Sequence, residues 1–147
     1  MDNAVTLKDL FQNRTVAFFG VPAPFTGTCT RKHYPGYKEL AGEILGAGGA
    51  DEIVCYSVTD PYAHRAWSRS LDNDDGHITF LADPDGSFAR AYGVDANYDA
   101  ASLGDRSKRF SMVVVDGKVM NFRIVEDALK DAETLLGELK ELKEHGK

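Results

Sequence analysis

The chain has 147 residues, a formal net charge of −6 at pH 7 and an ordinary share of apolar side chains. This length is typical of one domain with a single core, so we predict one domain over residues 1–147. No apolar run is long enough to span a bilayer, and the basic residues are scattered, so neither a membrane nor nucleic acid is an expected partner.

The first half of the chain alternates strands with helices. Residues 15–19 form an apolar, β-branched and aromatic run, which predicts a buried strand. A Pro- and Gly-rich loop leads from it into a helix over residues 29–46, which should kink at Pro35-Gly36. A second strand is predicted over residues 52–59, followed by a helix that begins at the cap-and-proline pair Asp60-Pro61.

The second half adds three strands and two helices. The predicted elements are a strand over 77–82, a short helix over 88–92, strands over 110–115 and 118–124, and a closing amphipathic helix with Leu129, Ala132, Leu136 and Leu139 on one face. Asp116-Gly117 between the last two strands is a strong signal for a two-residue hairpin turn. Residues 1–14 are expected to form an exposed lead-in in which Val5, Leu7, Leu10 and Phe11 are available to pack on the edge of the domain. Residues 93–107 are expected to be an irregular segment.

This order of elements predicts an α/β fold with a mixed central sheet. The strand–helix–strand units make parallel crossovers, whereas the hairpin adds antiparallel strands. Ligands of open α/β sheets usually lie beyond the carboxyl ends of the parallel strands, and Cys29 follows the end of strand 15–19. A strand antiparallel to the first begins at that same edge. If residues 110–115 form that strand, Arg109 points its guanidinium toward Cys29.

Cys29 lies where the loop becomes a helix, and this position suits a reactive thiol. The first turn of a helix has unsatisfied N–H groups and the positive end of the macrodipole, and both favour the thiolate. Thr26 or Thr28 can cap the turn, and a threonine hydroxyl can also donate to the sulfur or to a bound substrate. The competing interpretation is a small, semi-buried cysteine without a chemical role.

The other cysteine is Cys55, in the middle of the predicted strand over residues 52–59. Its apolar neighbours favour a buried core residue, although it is the one internal candidate for a disulfide with Cys29. Two cysteines outside a C-x-x-C motif predict neither a disulfide scaffold nor a zinc site. Working thiols fit a reducing compartment, and the first residues lack the pattern of a secretory signal, so we predict a cytoplasmic location.

The segment around Cys29 resembles the peroxiredoxins, in particular their type-five (type II) class, which has a thioredoxin-like fold. The motif is Pro22-x-x-x-Thr26-x-x-Cys29, followed by His33-Tyr34-Pro35-Gly36-Tyr37. Further matches are Ser57-Val58-Thr59-Asp60, Trp67, Leu81-Ala82-Asp83-Pro84 and Lys108-Arg109-Phe110-Ser111-Met112-Val113-Val114, which includes the family's active-site arginine at Arg109. The resemblance covers roughly residues 5–140, and it implies a mixed central sheet flanked by helices on both faces.

The resemblance implies a thiol peroxidase that needs no cofactor and no metal. Hydrogen peroxide or an alkyl hydroperoxide would oxidise Cys29 to a sulfenic acid, assisted by Thr26, Arg109 and a helix-terminal N–H. Pro22 would shield the sulfur, a role that comes from the family. A homodimer packed near the active-site loops is also implied, with Phe25 as a candidate contact.

The chain departs from the family's pattern in two places. Gly27 follows Thr26 where the family often has a proline, and the resolving cysteine that some members carry near the C-terminus is missing. A one-cysteine cycle is therefore expected, in which an external thiol (glutathione, glutaredoxin or thioredoxin) reduces the sulfenic acid. The alternative function is a redox-signalling or interaction module whose partner binding changes when Cys29 is oxidised.

The four histidines are interpreted by position. His33 shares a helix face with Cys29, so it could act as a metal ligand or a general base. No motif supplies further metal ligands, and a supporting role near the pocket is favoured. His64, His77 and His145 are expected to be surface residues.

Overall fold

The computed structural model describes residues 6–71, 73 and 76–144. Their fold is built on a five-stranded mixed sheet. The strands along the chain are β1 (Thr15–Gly20), β2 (Glu52–Ser57), β3 (Ile78–Ala82), β4 (Asp95–Tyr98), β5 (Gly104–Ser107), β6 (Phe110–Val115) and β7 (Lys118–Ile124). The order across the main sheet is β3-β2-β1-β6-β7, with β4 and β5 forming a separate pair. Strands β1, β2 and β3 are parallel to one another, β6 is antiparallel to β1, and β7 is antiparallel to β6. This arrangement confirms the predicted mixed sheet.

Helices cover both faces of this sheet, also as predicted. They are α1 (Leu7–Phe11), α2 (Tyr34–Leu45), α3 (Pro61–Ser70), α4 (Ser87–Ala91) and α5 (Asp131–Glu144). Helices α2, α3 and α5 pack on one face through residues that include Tyr37, Trp67 and Leu135. Helices α1 and α4 cover the other face through Phe11 and Phe88. None of the helices in the described residues is long and apolar enough to cross a bilayer.

The central strand β1 contributes side chains to the apolar cores on both faces of the sheet. Successive side chains of a strand point to opposite faces of the sheet. Ala17 and Phe19 therefore join the cluster under α2 and α5, whereas Val16 and Phe18 join the cluster under α1 and α4. All four are fully buried. This double burial explains why the strand is a continuous apolar run instead of an alternating one.

Two local predictions are confirmed in detail. Asp60 caps α3, since its Oδ1 accepts a hydrogen bond of 2.8 Å from the backbone N–H of Ala63, and Pro61 is the first helical residue. The turn between β6 and β7 has positive φ at both central residues, 48° at Asp116 and 79° at Gly117. A two-residue hairpin needs this geometry because its twist matches that of the paired strands.

Other predictions are wrong. Residues 93–107 are not irregular, because β4 and β5 pair as an antiparallel hairpin across a short 3₁₀ turn over Asp99–Ala101. Their side chains are mostly polar and partly exposed, so the alternation of apolar residues that would reveal them is weak. In the lead-in, Leu10 and Phe11 pack on the domain as expected and are buried, whereas Leu7 is 45% exposed and Val5 lies outside the described residues. Leu129 precedes α5 and is 62% exposed instead of facing the core.

The histidine predictions have mixed outcomes. His77 is exposed, as expected, and His145 lies outside the described residues. His64 is buried, because it lies on the inner face of α3 with Trp67 and packs edge-on against Phe80. Its Nε2 lies 3.1 Å from the carbonyl oxygen of Cys55, to which it donates.

Candidate active site

The loop that leads to Cys29 leaves the sheet at the end of β1. Gly20 ends that strand under the ring of Phe110, and a Cβ at this position would lie 2.2 Å from Cε1 of that ring. Only glycine allows so close an approach. The backbone N–H of Val21 then donates to the carbonyl of Tyr56, which ties the start of the loop to β2.

Pro22 and Thr26 both lie in this loop and are half-buried. The hydroxyl of Thr26 donates to the carbonyl oxygen of Ala23 over 2.9 Å, so its proton is directed into the loop and not toward Cys29. This differs from the donor role expected for Thr26. The expected cap is also different, since the side chain of Thr28 makes no capping hydrogen bond. Instead, the backbone carbonyl of Thr26 accepts from the N–H of Thr30.

Cys29 begins a π-helical turn over Cys29–His33 that continues directly into α2. The backbone N–H of Tyr34 donates to the carbonyl of Cys29, five residues back. The sequence predicts one helix kinked at Pro35-Gly36, whereas the structure has a π-helical turn that ends at His33 and an α-helix that begins at Tyr34. Pro35 lies in the first turn of α2, where its missing N–H leaves no helical hydrogen bond unmade. Such π-helical turns are frequent at functional sites. The Cys29 side chain is fully buried within the π-helical turn.

Arg109 reaches Cys29 from the neighbouring strand. Strand β6 runs antiparallel to β1, with Phe110 opposite Gly20, so Arg109 comes next to the start of the cysteine loop. Its Nη2 donates to Sγ of Cys29 over 3.3 Å. A permanent positive charge therefore lies beside the sulfur. The juxtaposition is the one predicted from strand order.

A second hydrogen bond fixes the other arm of the guanidinium. Nη1 of Arg109 lies 3.0 Å from Nδ1 of His33. An arginine only donates, so Nδ1 of His33 accepts and the ring proton is on Nε2. That Nε2 lies 2.8 Å from Oδ2 of Asp131 and donates a hydrogen bond to it. An unbroken chain of hydrogen bonds thus runs from Asp131 through a neutral His33 to Arg109 and Cys29.

Asp131 is the buried anchor of this chain. Its two carboxylate oxygens accept from the side chains of His33, Tyr37, Ser111 and Arg123. Burial by itself would raise the pKa of Asp131. The hydrogen bond from His33 and its charge when protonated, together with the hydrogen bonds from Tyr37 and Ser111, outweigh burial and lower the pKa to about 2. Asp131 is therefore a carboxylate throughout the neutral range.

Comparison with known proteins identifies the family of this chain. The model of the redoxin family matches residues 1–136. The chain is 40% identical over 138 residues to mitochondrial peroxiredoxin-2F of Arabidopsis thaliana, covering 90% of this chain and 67% of that protein. It is 42% identical over 118 residues to mitochondrial peroxiredoxin-2F of Oryza sativa subsp. japonica, covering 80% of this chain but only 59% of that protein. The chain belongs to the peroxiredoxin family.

A solved structure supports the same assignment for the fold. Reduced Prx3 of Vibrio vulnificus in complex with hydrogen peroxide superposes with a TM-score of 0.86 at 34% identity, covering 95% of this chain and 86% of that one. This peroxiredoxin is thus an oxidoreductase of the type-II kind with a thioredoxin-like fold, as the motif around Cys29 indicated.

The second cysteine of this peroxiredoxin is buried in the sheet. Cys55 lies in β2, opposite Phe19 of β1 and Phe80 of β3, and is fully buried as predicted. Burial raises the pKa of the Cys55 thiol well above its usual value, and the neighbouring Cys29 acts in the same direction. Both cysteines are free. Cys55 is therefore a poor nucleophile.

The site contains one acidic residue that sequence reasoning missed. Nothing in the sequence marks Asp131 as part of the site, because an aspartate in the first turn of an amphipathic helix is ordinarily exposed. The sequence predicts only a supporting role near the pocket for its partner His33, and the structure places His33 in contact with Arg109. Burial lowers the pKa of His33 from 6.5, with Arg109 and Arg123 acting in the same direction against the opposite influence of Asp131.

Proposed function

We propose that this peroxiredoxin reduces hydrogen peroxide and small organic hydroperoxides, with Cys29 as the nucleophile. The Cys29 thiolate attacks the terminal oxygen of the peroxide, so an S–O bond forms while the O–O bond breaks. The sulfur is oxidised to a sulfenic acid, and the departing oxygen takes up a proton to leave as water or an alcohol.

The contact of 3.3 Å between Arg109 Nη2 and Cys29 Sγ is the observation that carries this proposal. Negative charge develops on the departing oxygen next to the sulfur, and Arg109 is already placed to stabilise it. The Thr26 hydroxyl donates its hydrogen to the carbonyl oxygen of Ala23. Its oxygen can therefore accept a hydrogen bond from the peroxide O–H. Pro22 lines the same loop and limits access of water to the sulfur.

An external thiol regenerates the enzyme in this proposal. Cys55 is fully buried between two strands, and its thiol stays protonated, so it does not resolve the sulfenic acid of Cys29. Two equivalents of an external thiol therefore supply the electrons: the sulfenic acid returns to the thiol, with release of one water and one disulfide. Glutathione with glutaredoxin, or thioredoxin, is the reductant class we expect.

The proposal also includes a homodimer and a cytoplasmic location. Phe25 in the cysteine loop is 57% exposed and has a positive φ of 66°, a backbone conformation that is unfavourable for a bulky residue. A homodimer that covers Phe25 would shield this ring. The two plant relatives named above are mitochondrial proteins, and a cytoplasmic location for this chain stays a prediction. Sedimentation of wild type and Phe25→Ser tests the dimer, since the variant should shift toward monomer.

Catalytic turnover tests the proposed activity. Peroxide consumption is followed with glutathione plus glutaredoxin and separately with thioredoxin and its reductase, for wild type and Cys29→Ser. Wild type should turn over with at least one reductant, and Cys29→Ser should be inactive. Oxidation of Cys29 without turnover with either reductant would favour a redox-signalling module.

A further inference from the structure

The hydrogen bonds around His33 have only one consistent assignment. Arg109 presents an N–H to Nδ1, and the carboxylate of Asp131 faces Nε2. The first partner only donates and the second only accepts, so His33 is neutral with its proton on Nε2. A proton added to Nδ1 would direct an N–H of a cationic ring against an N–H of a cationic guanidinium.

We propose that His33 and Asp131 are positioning residues of the peroxidase site: neutral His33 holds the Arg109 guanidinium on the Cys29 sulfur, and protonation of His33 releases it. Asp131 keeps His33 in the Nε2–H tautomer, because Oδ2 of Asp131 accepts a hydrogen bond of 2.8 Å from Nε2–H of His33. The His33 ring is fully buried, so no water molecule stands in for either partner without rearrangement. This inference rests on the proposed function, since it concerns the rate at which Cys29 reacts with peroxide.

Three charged side chains and two aromatic rings face His33 from the elements packed around it. Arg109 precedes β6, Arg123 lies on β7 and Asp131 begins α5. From β1 and α2, the ring also contacts two aromatic side chains, Phe19 with ring centroids 5.0 Å apart and Tyr37 at 5.6 Å. The two arginines oppose a charge on His33, and Asp131 favours one. Burial and the arginines prevail, so the pKa of His33 lies below its ordinary 6.5.

A pair of substitutions separates positioning from packing. In His33→Asn, the amide oxygen occupies the place of Nδ1 and accepts from Arg109, but the side chain does not titrate. In His33→Leu, a side chain of similar bulk fills the site without an acceptor. Both variants remove the histidine N–H that Asp131 accepts, so they differ chiefly in what they offer to Arg109.

The experiment measures the second-order rate of Cys29 oxidation by hydrogen peroxide between pH 5 and 8. At pH 7.5, His33→Asn should stay within the same order of magnitude as wild type, whereas His33→Leu should be slower by about 10- to 100-fold. As pH falls below 6.5, the wild-type rate should fall more steeply than that of His33→Asn.

A measurement on the unmutated protein makes the test independent of variant folding. Nitrogen-15 NMR of the His33 ring at pH 7.5 should show the Nε2–H tautomer, and the Arg109 side-chain signal should shift as His33 titrates. The Nδ1–H tautomer, or equal rates for the Asn and Leu variants beside a fast wild type, would overturn the inference alone. A wild type no faster than free cysteine would overturn the proposed function as well.

Discussion

The guanidinium of Arg109 donates to the sulfur of Cys29 over 3.3 Å, although the two residues are 80 positions apart in the chain. The antiparallel pairing of β1 with β6 brings them together, because Phe110 lies opposite Gly20 and Arg109 precedes it. The sheet therefore sets the distance between the nucleophile and its electrostatic partner, and no flexible loop separates them on the arginine side. A site held by rigid elements keeps its geometry without reorganisation during the reaction.

Asp131→Asn should destabilise the protein and flatten its response to acid. The folded-state pKa of Asp131 is about 2, below the ordinary 3.8, so its carboxylate contributes stability above pH 4 that is lost as pH falls toward 2. Removing one partner from a buried charged cluster costs about 3 kcal/mol or more. Urea unfolding between pH 2 and 7 measures both effects. Asp95→Asn on the exposed strand β4 is the control, and an equal loss there would contradict the account.

Cys55→Ala should leave the peroxidase cycle intact. The side chain lies between β1 and β3 and is fully buried, so its removal costs about 1 kcal/mol of stability through a small cavity but no chemical step. Intact mass after one equivalent of peroxide, under non-reducing conditions, should show one added oxygen in wild type and in the variant. A quantitative intrachain Cys29–Cys55 bridge in wild type would refute the one-cysteine cycle.

His64→Gln should remove part of the loss of stability in mild acid. Burial lowers the pKa of His64 from 6.5 to about 4. Between pH 6.5 and 4, this histidine is therefore protonated in the unfolded chain but neutral in the folded one. Stability therefore falls as pH drops from 6.5 to 4, by about 3 kcal/mol for this group. Glutamine keeps a donor where Nε2 bonds to the Cys55 carbonyl but does not titrate. Thermal unfolding against pH checks this, and a variant that loses as much stability as wild type between pH 6.5 and 4 would contradict it.

Much of the site follows from local chemistry and strand order. Cys29 is recognisable from the apolar strand, the Pro- and Gly-rich loop and the helix that follows, and Arg109 from the edge at which an antiparallel strand begins. His64 was misplaced even though a signal existed: it precedes Trp67 by three residues, a spacing that puts both on one helix face. A histidine in such a pattern is a candidate for the buried side.

Asp131 could not be found in this way. Its partner His33 is 98 positions away, and nothing near residue 131 distinguishes a buried first-turn aspartate from an exposed one. The hairpin of β4 and β5 was missed for a related reason: a strand pair with mixed polar side chains has no clear alternation of apolar residues to reveal it. Both features depend on tertiary contacts and not on local pattern.

Stopped-flow oxidation of the reduced protein by hydrogen peroxide at pH 7.5 tests the central claim most directly, in wild type, Arg109→Gln and the control Arg65→Gln on the exposed side of α3. Wild type and the control should react alike and far faster than free cysteine, and Arg109→Gln should be slower by about 10²–10³-fold. A rate for Arg109→Gln equal to that of wild type would contradict the account.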